Sequence, residues 1–149
     1  VAVDQGQKTV GIQLAAVYPT WTDPATNLMW TKKDNGSDVN WNQANAYCSN
    51  LHLADYSGWR LPTIQELQGI YDPSVGSQSL FNDGAKFNVH VKGNLNLTGW
   101  DWSSSQVDAS GKPSQQAWLL NFGQEGQAHS FPLSFSFSSR ALCVRRSDE

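Results

Sequence analysis

Residues 53–72 read LADYSGWRLPTIQELQGIYD, and this stretch decides the fold class. Thr63 and Glu66 stand in the T-x-x-E spacing of a capping box, with Pro62 just outside it. In such a box the threonine oxygen accepts from a free N–H of the first turn and the glutamate reaches back to the cap N–H. Ile64, Leu67 and Ile70/Tyr71 follow on one face. A short helix is therefore predicted over residues 64–71. Asp72-Pro73 stops it, because the residue before a proline disfavours helical backbone. Residues 53–62 form an aromatic-rich connection into this helix. Arg60 lies between Trp59 and Leu61, which implies a buried stem and an internal role, with Glu66 or Asp72 as its ion-pair partner.

Upstream, a second helix is predicted over residues 41–52. Asn40 is a good N-cap and Gln43 follows at capping-box spacing. Trp41, Ala44, Cys48 and Leu51 recur at helical spacing, so Cys48 faces the core. Residues 32–39 (KKDNGSDV) are a polar loop. Residues 21–31 read as a turn at Asp23-Pro24 leading into a short apolar strand, with Asn27 suited to a left-handed position. Before that, Val10, Ile12 and Leu14 alternate with Gly11 and Gln13, which suggests one strand in a lead-in of residues 1–20. Residues 21–149 make the globular domain.

Downstream, residues 74–99 are rich in Gly, Asn and Ser, pinned by Phe81, Phe87, Val89/Val91 and Leu95/Leu97. A long segment with little regular structure is commonly functional. The last third is β-rich. Strands are expected from Trp100 to Ser104, over Trp118, Leu120 and Phe122, over Phe131, Leu133, Phe135 and Phe137, and from Ala141 to Arg146, the last carrying Cys143. A turn is expected from Gly123 to Gly126. The fold class is α+β: two helices, a small antiparallel sheet and a long loop region. The first and last strands are expected to pair and bring the termini together.

Composition narrows the function. The chain has 149 residues, which fits one domain. Its charged fraction of 15% is low, and polarity comes instead from 17 Ser, 12 Gln and 11 Asn. Seven Trp, six Phe and four Tyr argue against disorder. No apolar run is long enough to span a membrane. The net charge of −3, without a basic block, leaves no nucleic-acid footprint. The chain begins with Val1 and shows no basic-then-apolar leader, as expected of a mature exported chain or of a trimmed one. The two cysteines, Cys48 and Cys143, fit neither a zinc site nor a thioredoxin-like motif. Two readings stay open: two buried free thiols, or one disulfide between the early helix and the last strand, which would require an oxidising compartment.

The residues Asp23-x-x-Thr26-x-Leu28-Met29-Trp30, Trp41-x-x-Ala44 and Tyr47-Cys48 are followed by a longer block, Leu53-Ala54-x-Tyr56-Ser57-x-Trp59-Arg60-Leu61-Pro62-Thr63-x-x-Glu66-Leu67. Trp102-Ser103-Ser104, Ala117-Trp118 and Cys143-Val144-Arg145 complete the set. Together they give residues 21–146 a resemblance to the Lcl C-terminal domain family, named for the collagen-like adhesin of Legionella. Asn27 stands where that family usually has Gly, and the early loop is shorter and has no Cys of its own. The Trp-Arg-Leu-Pro-Thr element and the Cys-Val-Arg ending are also similar to the sulfatase-modifying-factor group. The resemblance implies a C-type-lectin-like domain of a secreted, periplasmic or surface-exposed bacterial protein, with Cys48 bonded to Cys143. It further implies an adhesive role, with binding to glycans or a host or matrix polymer and assembly into trimers.

No catalytic set emerges from spacing. His52, His90 and His129 lie in unrelated contexts and G-x-S-x-G is absent. The reactive cysteine pair that a sulfatase-modifying oxidase needs is missing, since only Cys143 lies near the C-terminus. Glu66, Asp101 and Glu125 could supply glycosidase carboxylates, but nothing singles them out. The loop Asp34-Asn35-Gly36-Ser37-Asp38 carries oxygens suited to calcium but lacks EF-hand spacing, so a polar turn is the better reading. No metal and no cofactor is expected. Trp30, Trp41, Trp59 and Trp118 sit at core-phase positions, whereas Trp100 and Trp102 share one face of a strand, with Asp101 on the other. Sugar rings stack on exposed aromatic faces while polar side chains take the hydroxyls. The candidate ligand residues are therefore Trp100 and Asp101, with Lys92, Asn94 and Asn96 from the loop and Gln124, Glu125 and His129 from the terminal turn. The acidic balance disfavours polyanionic ligands unless Lys86, Lys92, Lys112 and the arginines cluster. The expectation is a non-catalytic recognition and adhesion domain. The alternative is a protein-interaction or oligomerisation module presenting the Phe131–Phe137 face.

Overall fold

The computed structural model describes residues 19–80, 84–107, 115–123 and 126–149. The expected strand at Val10–Leu14, its pairing with the last strand, Phe81, Lys112, Gln124 and Glu125 lie outside these residues. Strand β1 (Thr20–Asp23) and strand β2 (Leu28–Thr31) form an antiparallel hairpin. Its turn follows from Asn27 at φ 61° and from Asp23, whose Oδ1 accepts from the Ala25 N–H at 2.9 Å. Helix α1 (Trp41–Ser49) begins in the expected Asn40/Gln43 capping box. Helix α2 (Ile64–Gly69) begins in the Thr63/Glu66 box and ends two residues earlier than expected.

Residues 74–99 depart from the long-loop expectation. Strand β3 (Ser77–Leu80) pairs antiparallel with strand β4 (Lys86–Val89). A 3-10 turn at Lys92–Asn94 follows. Val89, Val91, Leu95 and Leu97 are buried. The segment is thus bound to the core through alternate apolar residues and is not a free surface loop.

The larger sheet has the order β7-β6-β5-β8, with β5 (Trp100–Gln106), β6 (Gln116–Asn121), β7 (Gln127–Pro132) and β8 (Ser139–Arg140). Strand β9 (Val144–Arg146) joins β2 instead, giving a second sheet β1-β2-β9. Two expectations change here. Cys143 lies just before β9, in the passage from one sheet to the other. The run Phe131–Phe137 is not one strand: β7 ends at Pro132 and the Phe135 N–H donates to the Pro132 carbonyl at 2.9 Å, folding the chain back. Proline cannot continue a ladder as a donor, so the alternating pattern stops there.

Period-two alternation divides the interior. Ala117 and Leu119 enter one core with Met29, Ala44, Cys48, Trp59, Leu61, Trp102, Ala141 and Cys143. Leu120 and Phe122 enter the other with Trp30, Ile64, Leu67, Ile70, Leu142 and Val144. Helix α1 covers the first core and α2 the second. Trp41 and Trp118 are partly buried against these cores, while Trp30 and Trp59 are fully inside.

The Cys48–Cys143 disulfide spans 95 positions and fastens α1 to the sheet passage. Of the two readings left open, the free-thiol one is excluded. Arg60 is exposed and not internal as expected, because its side chain turns outward to make a bidentate pair with Glu66 at 2.8 and 2.9 Å, and not with Asp72; Arg145 is buried and Arg146 is exposed. No helix among the described residues is long and apolar enough to cross a membrane.

Candidate functional site

Trp100 opens β5, and its position follows from a close backbone approach. The Trp100 N–H donates to the Ser138 carbonyl at 2.8 Å. That carbonyl would lie 2.4 Å from a Cβ at Gly99, so only glycine fits before Trp100. The opposite wall is built by the fold-back after β7. Phe131 and Phe135 stack with centroids 4.2 Å apart and planes at 16°. Trp100 stacks on His129 at 5.6 Å and meets Phe131 at 5.8 Å. Trp100, Phe131, Phe135, Phe137 and Ser138 enclose a groove of about 140 Å³. Phe137 stands at its rim with 75% of its surface exposed.

Helix α1 and the chain leading into it brace this wall. The Trp41 N–H donates to the Leu133 carbonyl at 3.1 Å and the Val39 N–H to the Ser139 carbonyl at 3.0 Å. The indoles of Trp41 and Trp102 donate to the carbonyls of Ser103 and Val39, both at 2.9 Å. The disulfide that holds α1 therefore also holds the chain that carries the groove's rings.

Behind the groove lies a buried polar layer. Arg140 is fully buried and donates to the Thr98 hydroxyl at 2.8 Å, to the Thr98 carbonyl at 3.2 Å and to Asp38. Asp34 accepts from the Thr98 N–H at 2.7 Å and hydroxyl at 2.8 Å, and from the Gly36 N–H at 2.9 Å. Burial raises the Asp34 carboxyl above its ordinary value against these bonds. The Asp34–Asp38 loop thus spends its acidic side chains on Thr98, Gly36 and Arg140.

Asp101 corrects the expected ligand set. It is fully buried, and neither carboxyl oxygen has a hydrogen-bond partner. Burial lifts its pKa well above 3.8, with nearby Asp34 adding to the rise and Arg140 opposing it. It belongs to the interior because the face of β5 opposite Trp100 meets that polar layer. Lys92, Asn94 and Asn96 do not join the groove either. The Lys92 N–H donates to the Ile70 carbonyl, and the Asn96 N–H to the Lys32 carbonyl at 2.7 Å. The Lys32 ammonium donates to the Gly93 carbonyl at 3.0 Å. These bonds tie residues 92–96 to the β2 end and to α2, and the groove's lining contains none of them.

Of the described candidates, the structure brings together Trp100 and His129. The sequence reading left Phe131, Phe135 and Phe137 out of the ligand set, assigning them to a partner-binding strand face. Pro132 was the available signal that the strand ends and folds these rings toward Trp100. Ser138 was missed altogether. Its φ of 53° is a tertiary feature with no local sequence cue. The groove is lined by four aromatic rings and Ser138, is almost wholly apolar, and has no titratable side chain in its lining.

Compared with known protein families, residues 19–145 match the Lcl C-terminal domain. No curated protein matches the chain.

Proposed function

The chain belongs to the Lcl C-terminal domain family, and from its aromatic groove we propose a non-catalytic recognition domain that binds sugar rings of a glycan or surface polymer. The observation that carries this is Trp100, partly exposed in a ring-lined groove that is braced from behind. The apolar faces of a pyranose match such rings, and Ser138 is the one polar residue of the lining. A neutral glycan fits better than a sulfated one. Arg60 is paired with Glu66, Arg140 with Asp38 and Arg146 with Asp148. Arg145 donates to the carbonyls of Ser57 and Glu149 and lies over Tyr56. The groove's lining holds no arginine and no lysine to meet sulfates.

The disulfide supports export to an oxidising compartment, as a secreted, periplasmic or cell-surface domain. The placement of that bond, from the first helix to the residue just before the last strand, also supports a C-type-lectin-like kinship. A glycan array with the wild-type chain and Trp100→Ala tests the reading. Binding to neutral glycans that disappears in Trp100→Ala, with the melting curve retained, is expected. Background-level signal for the wild type across the array refutes it.

Phe137 favours a second reading, a protein-interaction or trimer-forming surface, because its ring stands largely in water. Light scattering decides it: an oligomer that becomes a monomer in Phe137→Ser supports association, and a monomeric wild type refutes self-assembly.

A further inference from the structure

The buried layer behind the groove holds an acid that recognition of a ring does not require. Asp101 of β5 pairs in register with Arg140 of the parallel strand β8 on one side and with Leu120 of β6 on the other. Register partners in a sheet point their side chains to the same face, so Asp101 stands between an apolar neighbour and a guanidinium. Asp101 and Arg140 are both 0% exposed. Buried charges are normally paired and hydrogen-bonded, yet neither Asp101 oxygen has a partner. Arg140 is committed elsewhere, to the Thr98 hydroxyl and carbonyl and to Asp38. The other charged group acting on Asp101 is Asp34, buried in the loop before α1, and it repels a carboxylate. Asp38 reaches Asp101 only through Arg140, and Tyr47 of α1 lies in the field of Asp34. So placed, Asp101 fits the interior as the neutral acid.

The layer therefore has two arrangements. With Asp101 protonated, Arg140 holds Thr98 and Asp38, as the structure shows. With Asp101 ionised, a bare carboxylate in the interior is far costlier than one at Asp38, which is 42% exposed. The guanidinium on the same face of the sheet is the group that neutralises it, and Arg140 serves Asp101 only by giving up Thr98 or Asp38. Both lead to the groove wall. Thr98 and Gly99 run directly into Trp100. Asp38 precedes Val39, whose N–H donates to the Ser139 carbonyl at 3.0 Å. Next to Ser139, left-handed Ser138 holds the Trp100 N–H through its carbonyl at 2.8 Å. We propose that Asp101 is a proton-operated latch on the aromatic groove, whose loss of a proton draws Arg140 off Asp38 and Thr98 and slackens the Ser138 wall against Trp100. The groove keeps its shape on the acid side and loosens as pH rises. The latch regulates the site proposed above for recognition and rests on that reading for its purpose, but its test needs no ligand.

The test follows the Asp101 carboxyl carbon, the Arg140 Nε–H and the Ser138 amide of the ¹³C,¹⁵N-labelled chain from about pH 4 to pH 9, the span over which a buried carboxyl can titrate. His129 stacks on Trp100, so His129→Gln is the background that removes the imidazole's own titration. The three signals are expected to share one midpoint above the ordinary carboxylate range. In Asp101→Asn the Arg140 and Ser138 signals hold their acid-side positions throughout. In Asp34→Asn the like charge is gone, so the Asp101 midpoint moves down and the Ser138 midpoint moves with it. The shared midpoint is read with Asp101 in place, so the test does not depend on how the Asp101 or Asp34 variants fold. A Ser138 signal that stays flat through the Asp101 midpoint overturns the proposal, as does a Ser138 midpoint that persists in Asp101→Asn. An Asp101 carboxyl that keeps one form over the whole range overturns it too. A shared midpoint in a chain that binds no glycan on the array refutes the recognition reading and leaves the latch standing.

Discussion

Replacing Cys48 and Cys143 together by alanine removes the one covalent link across 95 positions while leaving two small apolar side chains in the core. Both sulfurs are fully buried among Met29, Ala44, Trp59 and Trp102, so serine would add two buried hydroxyls and confuse the result. For a loop of this length the chain-entropy relation gives about 4.7 kcal/mol of lost stability at 25 °C. Small domains have about 5–15 kcal/mol in all, so the variant retains a weakened fold or none at 37 °C. At about 2–4 °C per kcal/mol for a chain of this size, the melting temperature falls by about 9–19 °C. Calorimetry and urea titration of the wild-type and double-alanine chains measure the difference. A midpoint within a degree or two of wild type would refute the reasoning, because it would mean that the bond constrains little in the unfolded chain. The structure adds a second consequence. The link holds α1, and the α1 N-terminus holds the chain at Leu133 and Ser139, so the ring packing around Phe131 and Phe135 loosens in the same variant.

Asp101→Asn raises stability at neutral pH. The folded pKa of Asp101 lies above its unfolded value, so its favourable contribution is complete below pH 3.8 and is lost as pH rises through the folded pKa. The gain in the variant therefore appears at pH 7 and shrinks toward pH 3.8, as melting curves across that range show; a pH-independent difference contradicts it. Arg140→Ala leaves the Thr98 carbonyl without this donor and removes the cation beside buried Asp34 and Asp101, and costs about 3–5 kcal/mol, whereas Asp38→Asn, with its carboxylate 42% exposed, costs about 1 kcal/mol or less. Urea midpoints of the two variants check that order. Gly93→Ala puts a Cβ 2.3 Å from the Trp21 ring at φ 74°, and it destabilises by more than the ~1–2 kcal/mol of left-handed strain alone. Gly36→Ala, at φ 77° with nothing within 4 Å, shows the strain alone, so equal costs at the two positions contradict the packing at Trp21.

Local chemistry was the legible part of this chain. Both capping boxes and the left-handed Asn27 each depend on residues within about a turn of one another, and each is present, whereas the partner of Arg60 was open between Glu66 and Asp72 and the pair lies at the surface, not inside. Pairing between distant segments was less legible. Strand β3 (SQSL) is mostly exposed and has no apolar alternation of its own; it exists because β4 lies beside it. For Asp101, alternation showed the face but not what lies on it. A polar residue opposite Trp100 reads as solvent-facing, yet that face meets Arg140 and the Asp34–Thr98 bonds. Within the candidate site, Trp100 and His129 were readable as an aromatic and a polar ligand residue. Their meeting with Phe135 and Ser138 depends on the fold-back at Pro132, which is a tertiary event.

The most direct test of groove recognition is an amide and indole chemical-shift map of the native, disulfide-bonded chain as the best neutral glycan from the array is added. The account predicts saturable shifts centred on Trp100, His129, Phe131, Phe135 and Ser138, with the buried indole of Trp102 still. Saturable shifts confined to another face, with the Trp100 signals unmoved, would contradict it.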